Sequence, residues 1–337
     1  MKRLSAQIVG AVLSVLMMAN CGESKSGGGS PYKGISTPAV ITLQNARTLS
    51  EAAIQGWVFI PPPLRPVNSN NSAPNKAITV FIPKNIPESI YKTIKNNFIA
   101  KLSKPQSLAP ATRAPVTTSE SFNDSYGIGS MWISQTFDNV TGNFSGSVTF
   151  NNYHPLPNPN DYLNGTLYVS GTFDINNTEI QSFSISSKSI SGVLNGVSIS
   201  LISFSCSANI VSYYPIFSGD LSFSFYLQND NTGKVLWYNN YAIHASKVSS
   251  TVIELNITGT FYHPDYGYIT LTTPYNDIEF YSNYGEPKSG IILATGANNT
   301  NIKTTFISNT TYRIEVCDDG DGLYEYINEY PWRKYIY

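Results

Sequence analysis

Apolar and polar residues alternate through most of the C-terminal two thirds of the chain. Stretches 165–173, 221–227, 269–271, 278–280 and 312–316 each set apolar side chains on one phase and polar ones on the other. A period of two sends successive side chains to opposite faces of a strand. The intervening stretches 229–233, 264–267, 296–299 and 318–322 are rich in Gly, Asn and Asp, which accept turn dihedrals. The pattern predicts a mainly β protein: a long antiparallel β-meander of about a dozen or more strands, with one dry and one wet face. A sheet that long curls, splits into a sandwich, or becomes an open, barrel-like structure.

The period lengthens upstream. Over residues 43–55, Ala46, Leu49, Ala53 and Ile54 fall on one helical face, with Thr42 placed to cap and Gly56 to stop. A second helix is predicted further on. Asn85, Pro87 and Glu88 supply an N-cap, a first-turn proline and a capping-box carboxylate, and Ile86, Ile90, Ile94, Phe98 and Leu102 form its stripe. Two short N-terminal helices are therefore expected to dock on the sheet. Pro61, Pro62 and Pro63 force an extended segment between them, and 104–116 reads as a Pro/Ala/Ser/Thr linker.

The first thirty residues carry a targeting pattern. Lys2 and Arg3 precede an apolar stretch, 8–19, that is too short to span a bilayer. Cys21 follows, then a Gly/Ser-rich run suited to a flexible tether. This resembles a bacterial lipoprotein signal, in which the cysteine becomes an acylated N-terminus carrying fatty chains such as palmitate. Met18 and Asn20 stand where Leu and a small residue are usual, which leaves ordinary secretion as the alternative. Gly22, rather than Asp, implies the outer membrane by analogy with sorting rules. The expected organisation is a signal peptide (1–20), a tether (21–41), a helical and extended region (42–116) and an antiparallel β domain (117–337). The expected location is the bacterial cell envelope, lipid-anchored at the outer membrane, with a secreted or periplasmic protein as the alternative.

Several phrases extend the resemblance. They are Thr37-Pro38-Ala39-Val40-Ile41-Thr42 before Asn45-Ala46, and Val148-Thr149-Phe150-Asn151-Asn152-Tyr153 before Leu163-Asn164-Gly165-Thr166. Later come Pro287-Lys288-Ser289-Gly290 before Thr295-Gly296-Ala297-Asn298, and Ile314-Glu315-Val316-Cys317-Asp318-Asp319-Gly320-Asp321-Gly322. In this order they are similar to one group of uncharacterised bacterial outer-membrane, surface β-rich lipoproteins. The resemblance implies a location and a β-meander, and no activity.

Composition narrows the chemistry. Charged residues make up 13% of the chain and the formal net charge is −1. Removing Lys2 and Arg3 with the leader leaves −3. Between Arg113 and Lys234 the only base is Lys188, so phosphates find no partner there and nucleic acid is excluded. The three histidines, His154, His244 and His263, lie in no hydrolase, zincin or phosphate-loop motif, and no enzyme is expected. Cofactors are expected to be none, with one candidate for calcium. Cys317-x-Asp319-x-Asp321-Gly322, with Glu325 nearby, is similar to a calcium loop, so Asp319, Asp321 and Glu325 are the candidate ligands. A Gly-rich hairpin turn is the competing explanation. Cys206 and Cys317 are the candidates for a disulfide in an oxidising compartment. Trp237, Tyr238 and Tyr241, with Tyr213 and Tyr214, are candidates for stacking on sugars. The expected function is a non-enzymatic binding or structural role on a lipid anchor. The alternative is a carrier holding a lipid-like amphiphile between the 86–102 helix and the sheet. The membrane is the one partner implied; a protein, glycan or lipid ligand stays open.

Overall fold

The computed structural model describes residues 30–58 and, with short interruptions, 115–331. Cys21, residues 22–29 of the expected tether and the whole of 59–114 lie outside the described residues, so the segment expected to be a second helix and nearly all of the expected linker do too.

Period-two segments become strands throughout. The first seven are β1 (Val116–Asn123), β2 (Ser130–Phe137), β3 (Asn143–Tyr153), β4 (Tyr162–Asp174), β5 (Glu179–Leu194), β6 (Val197–Ser212) and β7 (Ser218–Asn229). Then come β8 (Val235–Lys247), β9 (Val252–His263), β10 (Gly267–Thr272), β11 (Ile278–Tyr281) and β12 (Glu286–Thr295). Finally there are β13 (Asn301–Ser308), β14 (Thr311–Cys317) and β15 (Tyr326–Pro331). They form one antiparallel 15-stranded sheet in almost strict chain order. Short β10 and β11 lie end to end in the slot between β9 and β12, since each pairs with a different part of both neighbours. The expected meander is present as a single open sheet, not a closed barrel, with β1 and β15 as its edges.

The expectation of two N-terminal helices is corrected. Among the described residues there is one long helix, α1 (Ala46–Val58). An amphipathic stripe is stable as a helix when a tertiary partner buries it, and on the described sheet α1 is the helix that does so. It also starts three residues later than predicted and runs through Gly56. The reason is Asn45. Its Oδ1 accepts the Thr42 N–H at 2.9 Å and its Nδ2 donates to the Val40 carbonyl at 2.9 Å, so residues 42–45 form a turn before the helix. The stripe itself is as expected: Ala46, Leu49, Ala53 and Ile54 are all buried.

This helix sets the curl of the sheet. Within one stretch of α1, the Ala52 and Ala53 carbonyls accept bonds from Tyr238 and Tyr241 on β8, at 2.9 and 3.3 Å. The neighbouring Ser50 meets Thr304 on β13 at 2.7 Å, and Glu51 meets the Tyr312 hydroxyl on β14. From β8 to β14 is five strand spacings, about 24 Å along the sheet. A helix is only about 10–12 Å across with its side chains. One helix touches both strands only because the sheet wraps around it.

Tyr238 and Tyr241 are three residues apart, and on a regular strand they would face opposite ways. Asn240, at φ 51°, sits between them as a bulge. Phe225 pairs with Tyr238 and Phe223 with Tyr241, so β8 spends three residues where β7 spends two. The same device recurs at Asn152 (φ 48°) between Phe150 and Tyr153 on β3, and at Ser203 (φ 49°) between Leu201 and Phe204 on β6. Each bulge keeps an odd-spaced apolar pair on the core face and bends its strand.

The N-terminal segment straps the sheet. Tyr32 is buried against Trp237 and Tyr262, and its hydroxyl lies 2.8 and 2.9 Å from the Ile35 and His263 carbonyls. Ala39 then bonds to the Tyr268 carbonyl at 2.7 Å and Tyr268 to the Thr37 carbonyl at 3.0 Å, while Ala297 N–H reaches the Ala39 carbonyl at 2.7 Å. The strap runs so close that a Cβ at Gly267 or Gly296 would strike its carbonyl oxygens. Ala39 and Ile41 are buried, and α1 follows.

Two outcomes test this geometry. Asn240→Gly is expected to leave stability within about 0.5 kcal/mol, whereas Asn240→Val is expected to cost about 1–3 kcal/mol in urea unfolding, because a β-branched residue resists positive φ. Burial, then Tyr262 and Asp265, push the Tyr32 hydroxyl from 10.0 up to about 12. A raised folded-state value stabilises fully below the unfolded one and is lost as pH rises through the folded one. The stability gap between wild type and Tyr32→Phe, measured by unfolding at fixed pH, is thus expected to close between about pH 10 and about pH 12.

Candidate functional site

The loop after β14 gathers part of the predicted cation set. Cys317 ends the strand fully buried, and Gly320 and Gly322 take φ of 80° and 88° to reverse the chain. Cys317 Sγ lies 3.9 Å from an oxygen of Asp319 and 3.9 Å from one of Asp321, and the three ligand atoms fall within 4.8 Å of one another. Glu325 is not brought in: its backbone N–H bonds to the Val316 carbonyl at 3.0 Å as the chain turns into β15. The atoms gathered already hold the turn. Asp319 accepts the Asp321 N–H at 3.0 Å, Asp321 accepts the Leu323 N–H at 2.7 Å, and the Gly322 N–H points at Sγ from 3.3 Å. Calcium takes six to eight oxygens, and this loop offers two carboxylates and a thiol.

The disulfide is not formed. Cys206 and Cys317 are both buried, and no disulfide joins them. They sit on β6 and β14, seven strand spacings apart in the order of the sheet, so strand pairing does not bring them side by side.

The histidines serve turns and strand pairs. Asp124 accepts the N–H groups of Ile128, Gly129 and His154 at 3.1, 2.8 and 3.2 Å, tying the β1–β2 hairpin to the end of β3. His154 Nε2 stands 4.0 Å from the same carboxylate. His244 pairs with Asp220 at 2.7 Å on the surface, and His263 accepts the Asp265 N–H at 3.2 Å in its turn. Asp161, at the head of β4, is fully buried, and neither carboxylate oxygen has a hydrogen-bond partner among the described residues. Nothing in the sequence marked Asp124 or Asp161, since neither lies in a motif.

The aromatic candidates separate onto two faces. Tyr238 and Tyr241 are core residues under α1, while Tyr213 and Tyr214 lie outside the described residues. Trp237 points outward, in a row that crosses β7, β8, β9 and β10 as Tyr226, Trp237, Tyr262 and Tyr268. The first two neighbouring pairs stack, with centroids 5.3 and 4.2 Å apart, and Tyr262 meets Tyr268 at a tilt of 44° and 5.1 Å. Their faces are spent within the row, and Tyr32 covers its middle. A sugar needs an open ring face, and this row presents mainly edges.

The outer face of β2–β5 is different. Two rows cross it in register: Ser134, Ser147, Tyr168 and Ser186, and beside them Thr136, Ser145, Ser170 and Ser184. Together they line an open groove of about 410 Å³ with no charged side chain. Thr136 and Ser134 are tied to Thr117 and Ser119 of β1, at 2.9 and 3.3 Å. The hydroxyls of Ser145, Ser147, Ser170, Ser184 and Ser186 make no hydrogen bond within the described residues. Tyr168 is 54% exposed in the groove, and Trp132, two residues from Ser134 on β2, is 50% exposed beside it. The alternation 182–186 was legible as a strand with Ser on its wet phase. That Ser faces Ser across four strands depends on register.

Searches against protein-family models, curated proteins and solved structures find no match to this chain.

The turn role of the 317–322 loop can be measured. Asp321→Ala is expected to lower stability by about 0.5–2 kcal/mol, and Asp321→Asn, which keeps an acceptor oxygen, by less than half as much. A large loss in the Asn variant, accompanied by calcium-dependent stabilisation of the wild type only, would show a cation role instead.

Proposed function

We propose that the protein is a lipid-anchored cell-envelope protein of the outer membrane, with a non-enzymatic binding role carried by its β-sheet. What supports the reading is the join between the lipoprotein-like leader and the fold. Eight residues, nine steps of chain, lie between Cys21 and Ser30, where the described chain begins, and Tyr32 is already buried against the sheet. At about 3.3–3.6 Å per residue, such a spacer reaches no more than roughly 32 Å. An acylated Cys21 would hold the sheet close to the bilayer yet free of it. A binding role fits the sheet's outer face better than catalysis does. That face offers unpartnered hydroxyls in a groove, while the three histidines are occupied with Asp124, Asp220 and the Asp265 turn.

Replacing Cys21 with Ser is expected to move the protein from the detergent-extracted membrane fraction to the soluble fraction, with unchanged thermal unfolding. Mass spectrometry of the wild-type N-terminal peptide is expected to show the added acyl mass on Cys21. An unmodified terminus at Gly22 would overturn the anchor.

A further inference from the structure

The groove on β2–β5 combines three properties. Its lining is neutral, so neither an ion nor a polyanion is selected. Its five free hydroxyls stand at strand spacing, about 4.8 Å across the sheet and about 6.8 Å along it, as a lattice of donors and acceptors. Tyr168 and Trp132 add two ring faces that no other ring covers among the described residues. The two rings are two strands and one side-chain repeat apart, roughly 12 Å by strand geometry, the scale of a short run of sugar rings.

From this we propose that the groove binds a neutral glycan chain, with Tyr168 and Trp132 stacking on sugar faces and the serine rows bonding to the hydroxyl rims. A pyranose has that same dual character: an apolar C–H face that rests on a π-surface and a rim of hydroxyls that exchange bonds with Ser. A lipid is disfavoured because the lining between the rings is hydroxyl, and a protein partner because the patch lacks the apolar centre such interfaces use. The absence of charge predicts binding that is insensitive to salt. The proposal deepens the envelope reading and rests on it for where the glycan is met, but the groove chemistry stands without the anchor.

The test uses the full-length protein purified in detergent, with neutral hexasaccharides as probes: cello-, malto-, laminari- and chitohexaose, each titrated to millimolar concentration by calorimetry. At least one is expected to bind, with affinity unchanged between low and high salt. Tyr168→Ala and Trp132→Ala are each expected to weaken that binding by at least about tenfold. Both side chains are half exposed, so unfolding curves are expected to stay at wild type. Ser147→Leu, which fills the groove from its middle, is expected to abolish binding. Failure of all four probes, or binding that survives these substitutions, overturns the proposal. So does concentration-dependent dimerisation lost in the same variants, which would assign the face to a second copy. The Cys21→Ser protein separates the two readings: it is expected to keep glycan binding while losing the membrane, so either can fail alone.

Discussion

The seat of α1 between β8 and β13–β14 is the contact on which the rest of the molecule depends. Its buried stripe, Ala46, Leu49, Ala53 and Ile54, gives the inner face of the C-terminal limb something to close on. Burying a Leu or Ile side chain is worth about 1.5–3 kcal/mol. Tyr238 and Tyr241 add hydroxyl bonds to helix carbonyls whose other lone pair already serves the helix. Such bonds fix the sheet's distance and angle to the helix more than they add energy, each being worth about 0.5–1.5 kcal/mol net. The bulge at Asn240 follows from this demand, because only an extra residue puts both tyrosines on one face. So do the close passage of the strap and the glycines at 267 and 296 that let it by.

A wrapped sheet has one face that must be dry and one that need not be, and this protein treats its two limbs differently on the wet side. On the C-terminal limb, ion pairs cross the strands: Lys288 with Glu279, Lys303 with Glu315 and Arg313 with Glu329, at 2.6, 2.9 and 2.7 Å. The more exposed of them, such as Arg313 with Glu329, are worth little and weaken with salt. The groove on β2–β5 is lined at such outward positions by Ser, Thr and Tyr and by no charged side chain, with Lys188 exposed on β5 two residues beyond Ser186. Low charge along the chain is therefore concentrated in one place, and that place contains the groove.

Parts of this were legible in the residues and parts were not. Asp319 and Asp321 were recognised by spacing and do come together, because a turn closed by two glycines needs Asx acceptors whichever ligand it meets. Glu325 was attached to them by proximity in sequence, and the chain carries it away into β15. Trp237, Tyr238 and Tyr241 read as one aromatic cluster. The strand alternation and a bulge divide them, sending Trp237 out and the two tyrosines in. A spacing of three between large apolar residues inside a period-two segment, as in Phe150/Tyr153 and Tyr238/Tyr241, was the available sign of those bulges.

By itself the sequence determined the strands, their wet and dry phases, the stripe of α1 and the turns, because each follows from side chains within a few residues of one another. Tertiary structure decided the rest. Whether the sheet closes, which helix it wraps and which serines stand side by side depend on register and bulges. Those are set by contacts between residues tens to hundreds of positions apart, where local periodicity carries no information. The cross-strand rows from Ser134 to Ser186 exist only in that register. A one-residue slip in any of the four strands would turn its hydroxyls inward and its core residues out, so the burial that fixes the core also fixes the outer face.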